Sequence, residues 1–284
     1  MKVSVIIPCF NHGEYIDEAV DSILNQTYQD FEIIIIDDGS TDSLTIEKLK
    51  SYNKQKTKVI RTKNNGLPAA RNKGIQLGTG KYILTLDADD KFHPSFLEMA
   101  VPILNKNKKI GVVTCFCQTF GLYKQIWHTK GGDIKDFLVN NNCLSGALFR
   151  KTCWNTVGGY DEKMKEGYED WNFWIGITEK GWNVHVIKYP LFFYRISKSS
   201  MYSNTMEKHP ELVKQVVINN KNLYQKYLDY VIYEKEKTLY EKEKTLQEIL
   251  NSESYKIASY IISKIRFIKH LLPINHENLN NHSL

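Results

Sequence analysis

Residues 31–42 read FEIIIIDDGSTD, an unbroken apolar run that changes abruptly to acidic and turn-forming residues. The run Ile33–Ile36 has no alternating polar residue, which is typical of a strand covered on both faces of a sheet. Gly39 and the hydroxyl residues after it predict a turn. Asp37 and Asp38 are therefore expected at the carboxyl end of a buried strand.

The same strand-then-helix order extends on both sides of this stretch. Apolar runs predict further strands and amphipathic runs predict helices between them. The predicted strands are Val3–Ile7, Phe31–Ile36, Lys58–Arg61 and Tyr82–Leu86, and the predicted helices are Tyr15–Asn25 and Leu67–Leu77. This alternation predicts an α/β fold with a Rossmann-like, mostly parallel sheet flanked by helices.

Three polar segments follow predicted strands: Pro8–Asn11, Asp37–Asp42 and Asp87–Asp90. Open α/β sheets bind ligands beyond the carboxyl ends of their strands, so we expect these segments to share one crevice. Carboxylate oxygens suit Mg²⁺ or Mn²⁺, and a diphosphate can supply the remaining ligands. Taken alone, the second acidic cluster is equally typical of a solvated turn or a helix cap near Pro94.

The composition limits the class of protein. Hydrophobic residues make up 42% and charged residues 25% of the 284 residues, as in globular proteins. The formal charge of +6 suits anionic partners but is mild for a nucleic-acid-binding protein, and we predict no nucleic-acid partner.

The N-terminal sequence and the cysteines bear on cellular location. Met1 leads directly into Val3–Ile7 without a signal-peptide pattern, which predicts a cytoplasmic location, either free or at the inner face of the cell membrane. The five cysteines lack paired CxxC spacing, so we expect reduced, structural thiols.

The composition changes beyond about Ser203, where a helical extension is predicted over 204–272. Residues 233–239 are repeated at 240–246, which places Leu239 and Leu246 seven residues apart. Most companion positions are Glu or Lys, so a charged helical spacer is favoured over a coiled coil. A homo-oligomer through the C-terminal helices remains an alternative.

Residues 255–272 form a basic amphipathic pattern. Apolar residues recur at helical spacing among four lysines and arginines and no acid. We expect this segment to lie on an anionic membrane surface; packing against the N-terminal domain or another copy of the chain is the alternative. Residues 273–284 are Asn-rich and predicted to be disordered.

Several motifs together resemble those of the inverting family 2 glycosyltransferases with the GT-A fold. They match in order and spacing over roughly residues 1–200: Val3–Asn11, Gln26–Tyr28, Phe31–Glu32, Ile36–Asp42, Arg71–Asn72, Leu86–Asp90 and Gly167–Trp171. The resemblance does not cover the C-terminal extension. It implies one catalytic domain over residues 1–203, with a nucleotide-binding half at about 1–100 and an acceptor-binding half at about 101–203. It implies that a sugar moves from a nucleotide sugar, with a uridine diphosphate sugar favoured, to an acceptor hydroxyl.

The resemblance also implies roles for individual residues. Phe10 would pack on the nucleotide base, Pro8 and Asn11 would shape that pocket, and Asp38 would accept a hydrogen bond from the base. Arg71 would meet the base or phosphate region. The metal ion, Mn²⁺ or Mg²⁺, would be held by Asp89, with Asp87 and Asp90 in support; Asp87 would also contact the ribose.

The remaining implied roles concern transfer itself. Asp170 resembles the catalytic base, and Glu169 beside it would contact the bound nucleotide sugar. Gly146 would let the chain approach the donor sugar. The residue pattern alone leaves open a helix N-terminus stabilised by acids and an ordinary turn glycine. Relatives often carry His where this chain has Ser197, which puts one metal or diphosphate contact in doubt.

The resemblance implies that the acceptor is a glycan or a lipid-linked molecule and that the process is surface polysaccharide or glycoconjugate synthesis. Two alternatives remain: a catalytically silent nucleotide- or sugar-binding scaffold, and a nucleotidyltransferase acting on sugar phosphates. Pro8–Glu14 lacks the Gly-rich, Lys-bearing phosphate loop that the latter would favour.

Overall fold

The apolar runs of the sequence form a nine-stranded sheet in the computed structural model, which describes residues 3–197, residue 205 and residues 207–271. Its side chains are described through residue 262 and at residue 264. The strands are β1 Val3–Cys9, β2 Phe31–Asp37, β3 Thr57–Arg61, β4 Tyr82–Thr85, β5 Lys91–Phe92, β6 Ile110–Gly121, β7 Ile126–Trp127, β8 Leu148–Arg150 and β9 Asn183–Ile196. Their order across the sheet is β3-β2-β1-β4-β8-β6-β9-β5, and β7 pairs with β6.

Helices connect these strands and continue beyond the last one. They are α1 Ile16–Leu24, α2 Ser43–Lys50, α3 Leu67–Leu77, α4 Phe96–Lys106, α5 Ile134–Val139, α6 Lys151–Val157, α7 Glu169–Glu179, α8 His209–Asn219, α9 Lys221–Lys226, α10 Leu228–Asn251 and α11 Glu253–Leu271. Asp42 begins α2 as its N-cap, and its side chain accepts a hydrogen bond from Thr45 N.

The first half of the sheet is parallel, which confirms the predicted α/β architecture. β1 pairs in parallel with β2 and with β4, and β2 pairs in parallel with β3. Cys9 is opposite Asp37 in the register of β1 and β2, so these strands end at the same level. Their polar continuations consequently lie along one edge of the sheet.

The second half of the sheet is mixed. β8 pairs antiparallel with β4 and with β6, whereas the long β9 runs parallel to β6. Register shifts interrupt the β6 and β9 pairing around Cys115 and Phe116. The short β5 follows the acidic turn and pairs antiparallel with the end of β9, at Phe192 and Phe193. This pairing brings the end of β9 beside the acidic turn.

The chain divides into two units, Met1–Leu228 and Asp229–Leu284. The first extends beyond the boundary at residue 203 that the composition suggested. The reason is burial: Leu212 and Val216 on α8 are buried, and Asn220 donates to the side chain of Asn172 on α7. In the second unit, α10 and α11 expose apolar side chains at several positions from Ile232 to Ile262. The predicted disordered tail, 273–284, lies outside the described residues.

Two smaller expectations concern thiols and membranes. All five cysteines are buried and none forms a disulfide, as predicted. Within the described part of the chain, no helix has the length and apolar character needed to cross a membrane.

Two helical glycines provide a matched test of how tightly helices pack on this framework. A Cβ on Gly74 of α3 would lie 2.3 Å from Ile6 Cγ2, whereas one on Gly176 of α7 would lie 3.5 Å from Val157 Cβ, an ordinary contact. We expect Gly74→Ala to lower the free energy of unfolding by about 1–3 kcal/mol through overpacking. Gly176→Ala should raise it by up to about 1 kcal/mol through helix propensity.

Urea unfolding of both variants beside the unchanged chain measures this difference. Equal effects of the two substitutions would contradict the close approach of α3 to the sheet.

Candidate active site

The acidic turn that follows β4 places its three aspartates in different surroundings. Leu86 N donates to Ile6 O at 3.0 Å, which ties the start of the turn to β1, and Asp90 N donates to Asp87 O at 3.1 Å, which closes it. The side chain of Asp87 is 23% exposed, whereas Asp90 is 1% exposed. The cluster therefore does not present three equivalent carboxylates.

Asp90 points away from solvent toward the end of β9. Its Oδ1 accepts a hydrogen bond from Arg195 N at 2.8 Å, and its Oδ2 is buried without a hydrogen-bond partner in the described structure. Burial, together with the negative charges of Asp89 and Asp87, holds its pKa well above the usual range. The sequence assigned Asp90 to the metal in support of Asp89; in the structure Asp90 is buried beneath the turn and bound to β9.

Asp89 is the carboxylate of the turn that the fold leaves available. It is partly exposed, and no hydrogen bond or ion pair from another described residue engages its side chain. Burial is the largest influence on its pKa, which is raised; His12 acts in the opposite direction and Asp87 in the same one. Among the described residues, no three His, Cys, Asp or Glu side chains are grouped to hold a metal.

This donor set fits a metal ion that takes most of its ligands from a substrate. Mg²⁺ is commonly bound through one or two carboxylates together with substrate phosphates. Asp89 can supply one carboxylate, and Asp87 lies within the same turn. A site made only of protein ligands would not fit these residues.

A fully buried arginine joins the acidic turn to the start of α7. Arg71 is 1% exposed and donates to Asp87 Oδ1 at 2.7 Å and, through its other terminal nitrogen, to Glu169. Glu169 is itself 5% exposed. The sequence placed Arg71 and Glu169 at the nucleotide, but the structure buries them against each other. Their role is therefore to fix the positions of Asp87 and of the first turn of α7.

Asp170 lies next to Glu169 at this helix start and keeps part of its surface exposed. Its Oδ2 accepts from Asn141 Nδ2 at 3.1 Å, and its Oδ1 accepts from Trp171 N at 2.7 Å. Burial and the charge of Glu169 raise the pKa of Asp170 to about 7, although Arg71 and the two hydrogen bonds lower it. A carboxyl group that titrates near neutral pH can both accept and release a proton.

Asp38 organises the loop that follows β3. Its Oδ1 accepts from Asn65 N at 3.0 Å and its Oδ2 accepts from Gly66 N at 2.9 Å. Each carboxylate oxygen has two lone pairs, so Oδ2 can still accept one more hydrogen bond. A cavity of about 480 Å³ opens beside Asp38, with Ala69 and Trp154 in its lining.

Asn11 joins the loop after β1 to the loop after β2 through hydrogen bonds. Its Oδ1 accepts from Thr41 N at 2.8 Å, its own N–H donates to Ser40 Oγ, and its φ of 56° is left-handed. Pro8 is buried within β1, whereas Phe10 is 42% exposed. Of these three predicted contacts, Phe10 has the surface to meet a planar ligand, and the other two shape the loop.

Gly146 is buried against an aromatic ring. A Cβ there would lie 2.5 Å from Phe192 Cε2, so the glycine permits packing and has little surface for a ligand. The neighbouring Ser145 instead faces the acidic turn, where its Oγ donates to Asp87 Oδ2 at 3.3 Å.

Sequence reasoning did not identify Ser145 or Asn141 as parts of this site. Each acts through a side-chain hydrogen bond to a distant carboxylate, and such pairing has no local sequence signal. The site therefore unites the acidic turn with the start of α7, and it lies on the same chain unit as the loops around Phe10 and Asp38.

A family model and several similar proteins all carry the name glycosyltransferase. A model of the family described as "Glycosyl transferase family 2" matches residues 4–163. A Haemophilus influenzae protein named "Uncharacterized glycosyltransferase" is 33% identical over 238 residues, which cover 75% of this chain and 72% of that protein. A Rickettsia felis protein of the same name is 38% identical over 196 residues, but these cover only 30% of its length.

The fold also resembles solved structures. Residues 1–349 of S. aureus TarS, crystallised with UDP-GlcNAc, align with a TM-score of 0.64 at 19% identity, covering 77% of this chain and 66% of that one. The crystal structure of the same protein with UDP gives a TM-score of 0.60 at 21% identity. At this identity the likeness establishes the fold.

The raised pKa of Asp170 predicts a pH dependence of stability. Its pKa is about 7 in the folded chain and about 3.9 in an unfolded one. The folded state therefore binds this proton more tightly than the unfolded state does. As a result, the contribution of Asp170 to the free energy of unfolding falls as pH rises from about 4 to 7. Asp170→Asn should remove this contribution, so the variant gains stability relative to the unchanged chain across that range.

Urea unfolding at several pH values from 4 to 8 measures both proteins. If the difference in unfolding free energy between them does not change with pH, the proposed environment of Asp170 is wrong.

Proposed function

The chain belongs to glycosyl transferase family 2, and we propose that it transfers a sugar from a uridine diphosphate sugar to an acceptor hydroxyl, with inversion at the anomeric carbon and with Mn²⁺ or Mg²⁺ assisting. The observation that carries this proposal is the buried Arg71, which links the acidic turn to the helix start that bears Asp170. A group suited to phosphate and metal and a group suited to proton transfer are thereby held in one site.

The proposed reaction assigns proton transfer to Asp170. Its ionised carboxylate takes the proton of the acceptor hydroxyl as that oxygen forms a bond to the anomeric carbon. The bond from this carbon to the phosphate oxygen breaks on the opposite face, which inverts the configuration. A base with a pKa near the working pH has an ionised form to accept the proton and still gains from accepting it.

The donor is proposed to lie between the acidic turn and the β1 and β2 loops. The exposed ring of Phe10 supports stacking on a base, and the open lone pair of Asp38 Oδ2 supports a hydrogen bond from its imide. Asp89 would hold the metal ion, which when bound offsets negative charge on the departing diphosphate. The UDP-bound and UDP-GlcNAc-bound structures of TarS are consistent with a uridine donor.

Nucleotide binding tests the donor half of this proposal. We expect UDP with Mn²⁺ to raise the melting temperature of the unchanged chain more than guanosine, cytidine or thymidine diphosphates do. Ligand at about 100 times its Kd stabilises a folded protein by about 2.7 kcal/mol. Asp89→Asn should lose the part of the shift that requires Mn²⁺.

The matched control is Asp170→Asn, another carboxylate of the same site. It should retain the UDP and Mn²⁺ shift while losing sugar transfer by about 10²–10⁴-fold, the usual contribution of a general base. If no nucleotide shifts the unchanged chain under any condition, a silent binding module becomes the better interpretation.

The acceptor is proposed to be a glycan or a lipid-linked molecule, as in polysaccharide or glycoconjugate synthesis, reached from an anionic membrane surface. Support comes from α11, where Ile257, Ile261 and Ile262 are 59%, 50% and 50% exposed. Lys256 and Lys264 accompany them, and Glu253 is the acid at the start of the helix. A basic helix with one apolar side fits the boundary between lipid headgroups and acyl chains.

Vesicle binding by the full chain tests this membrane contact. We expect co-sedimentation with vesicles containing phosphatidylglycerol and little with phosphatidylcholine alone. Ile257→Asp combined with Ile261→Asp should weaken binding at least about tenfold, because two apolar side chains no longer enter the interface.

The control is Leu239→Asp combined with Leu246→Asp on α10, where both leucines are 52% exposed. This variant should bind vesicles like the unchanged chain. Equal loss in both variants would contradict a contact specific to α11, and a change of mass in light scattering would instead favour oligomerisation.

A further inference from the structure

Arg195 near the end of β9 makes three polar contacts that converge on the acidic turn and α1. Its backbone N–H donates to Asp90 Oδ1 at 2.8 Å, and its Nε donates to the backbone oxygen of Asp89 at 2.9 Å. Its Nη2 donates to Glu18 Oε2 at 3.0 Å. Two consecutive residues of the turn are thus bound by one residue that is distant in sequence.

The guanidinium group of Arg195 is enclosed by aromatic rings. It lies 4.4 Å from the ring centre of Tyr15, the N-cap residue of α1, and 4.4 Å from that of Phe120 on β6. The side chain is 15% exposed. A guanidinium stacked in this way keeps its planar donors in fixed directions, which a lysine ammonium does not do.

Lys91 shares part of this environment but not its contact with the turn backbone. Its Nζ contacts the same Glu18 Oε2 at 2.8 Å and lies 4.3 Å from the ring centre of Phe120. No hydrogen bond joins its side chain to Asp89 or Asp90 in the described structure. Lys91 is consequently a matched control for the charge and the stacking of Arg195.

We infer that Arg195 is a positioning residue that fixes the acidic turn from β9 and so orients the Asp89 carboxylate for the metal and diphosphate. The Asp89 carbonyl and the Asp90 carboxylate are both held by Arg195, while the Asp89 side chain has no such partner in the described structure. The orienting role rests on the proposed function; the fixing of the turn does not.

Manganese binding in the presence of UDP provides the first test. Residues that orient a metal ligand typically contribute 10–100-fold to metal affinity. We expect Arg195→Lys to raise the Kd for Mn²⁺ by roughly this factor in electron paramagnetic resonance titrations, because lysine can reach Glu18 but cannot reproduce the directed Nε bond. Lys91→Gln and Glu18→Gln should change the Kd by less than about threefold.

Hydrogen exchange provides the second test, and it needs no ligand. The amides of residues 89–91 should exchange roughly 10–100-fold faster in Arg195→Lys than in the unchanged chain, whereas both control variants should leave them protected. Equal exchange in Arg195→Lys and the unchanged chain would overturn the inference.

The two tests separate this inference from the proposed function. If the unchanged chain binds no Mn²⁺ with any nucleotide, the proposed function and the orienting role both fail, and exchange alone decides whether Arg195 fixes the turn. If the unchanged chain binds Mn²⁺ and Arg195→Lys binds it equally tightly, the orienting role is wrong while the proposed function stands. A loss of affinity in Lys91→Gln as large as that in Arg195→Lys would assign the effect to charge or stacking.

Discussion

The burial of Arg71 between Asp87 and Glu169 is the constraint on which the site depends. A buried guanidinium loses its hydration, and only close carboxylates with good hydrogen-bond geometry can offset that cost. Asp87 follows β4 and Glu169 begins α7, so the two elements must meet for Arg71 to be satisfied. The same contact sets where the neighbouring Asp170 lies, and it leaves Asp87 with one fewer free oxygen.

A second consequence is electrostatic. Arg71 and Arg195 both contact the acidic turn, yet both direct their terminal nitrogens to carboxylates of the protein. Meanwhile burial and mutual repulsion raise the pKa values of Asp89 and Asp90. A raised pKa means that these carboxyl groups keep their protons to a higher pH, so a cation bound beside Asp89 would favour its ionised form and lower its pKa. The Mn²⁺ or Mg²⁺ of the proposed function would be such a cation, and it would also offset the negative charge of the diphosphate.

The sequence predicted those parts of the structure that local pattern controls. The predicted helices Tyr15–Asn25 and Leu67–Leu77 agree with α1 and α3, and the predicted strands agree with β1 to β4 within a few residues. The partners of the site side chains were not predictable, because Arg71 and Glu169 are 98 positions apart and Arg195 and Asp90 are 105 apart. A pairing across such a separation leaves no pattern in the local sequence around either residue.

The pKa values of three aspartates differ because their surroundings differ. Asp17 on α1 is partly buried, yet hydrogen bonds from Lys48 and Lys54 outweigh that burial and lower its pKa to about 2. The Asp90 carboxyl accepts a hydrogen bond from the backbone N–H of Arg195 but forms no ion pair in the described structure. Burial therefore dominates, and the pKa of Asp90 stays well above the usual range. Asp170 lies between these cases, because Arg71 is close enough to oppose burial but spends its hydrogen bonds on Glu169 and Asp87. The pKa of Asp170 is about 7 because Arg71 pairs with the neighbouring Glu169 and not with Asp170 itself. Direct pairing of Arg71 with Asp170 would lower this pKa below the range useful to a base near neutral pH.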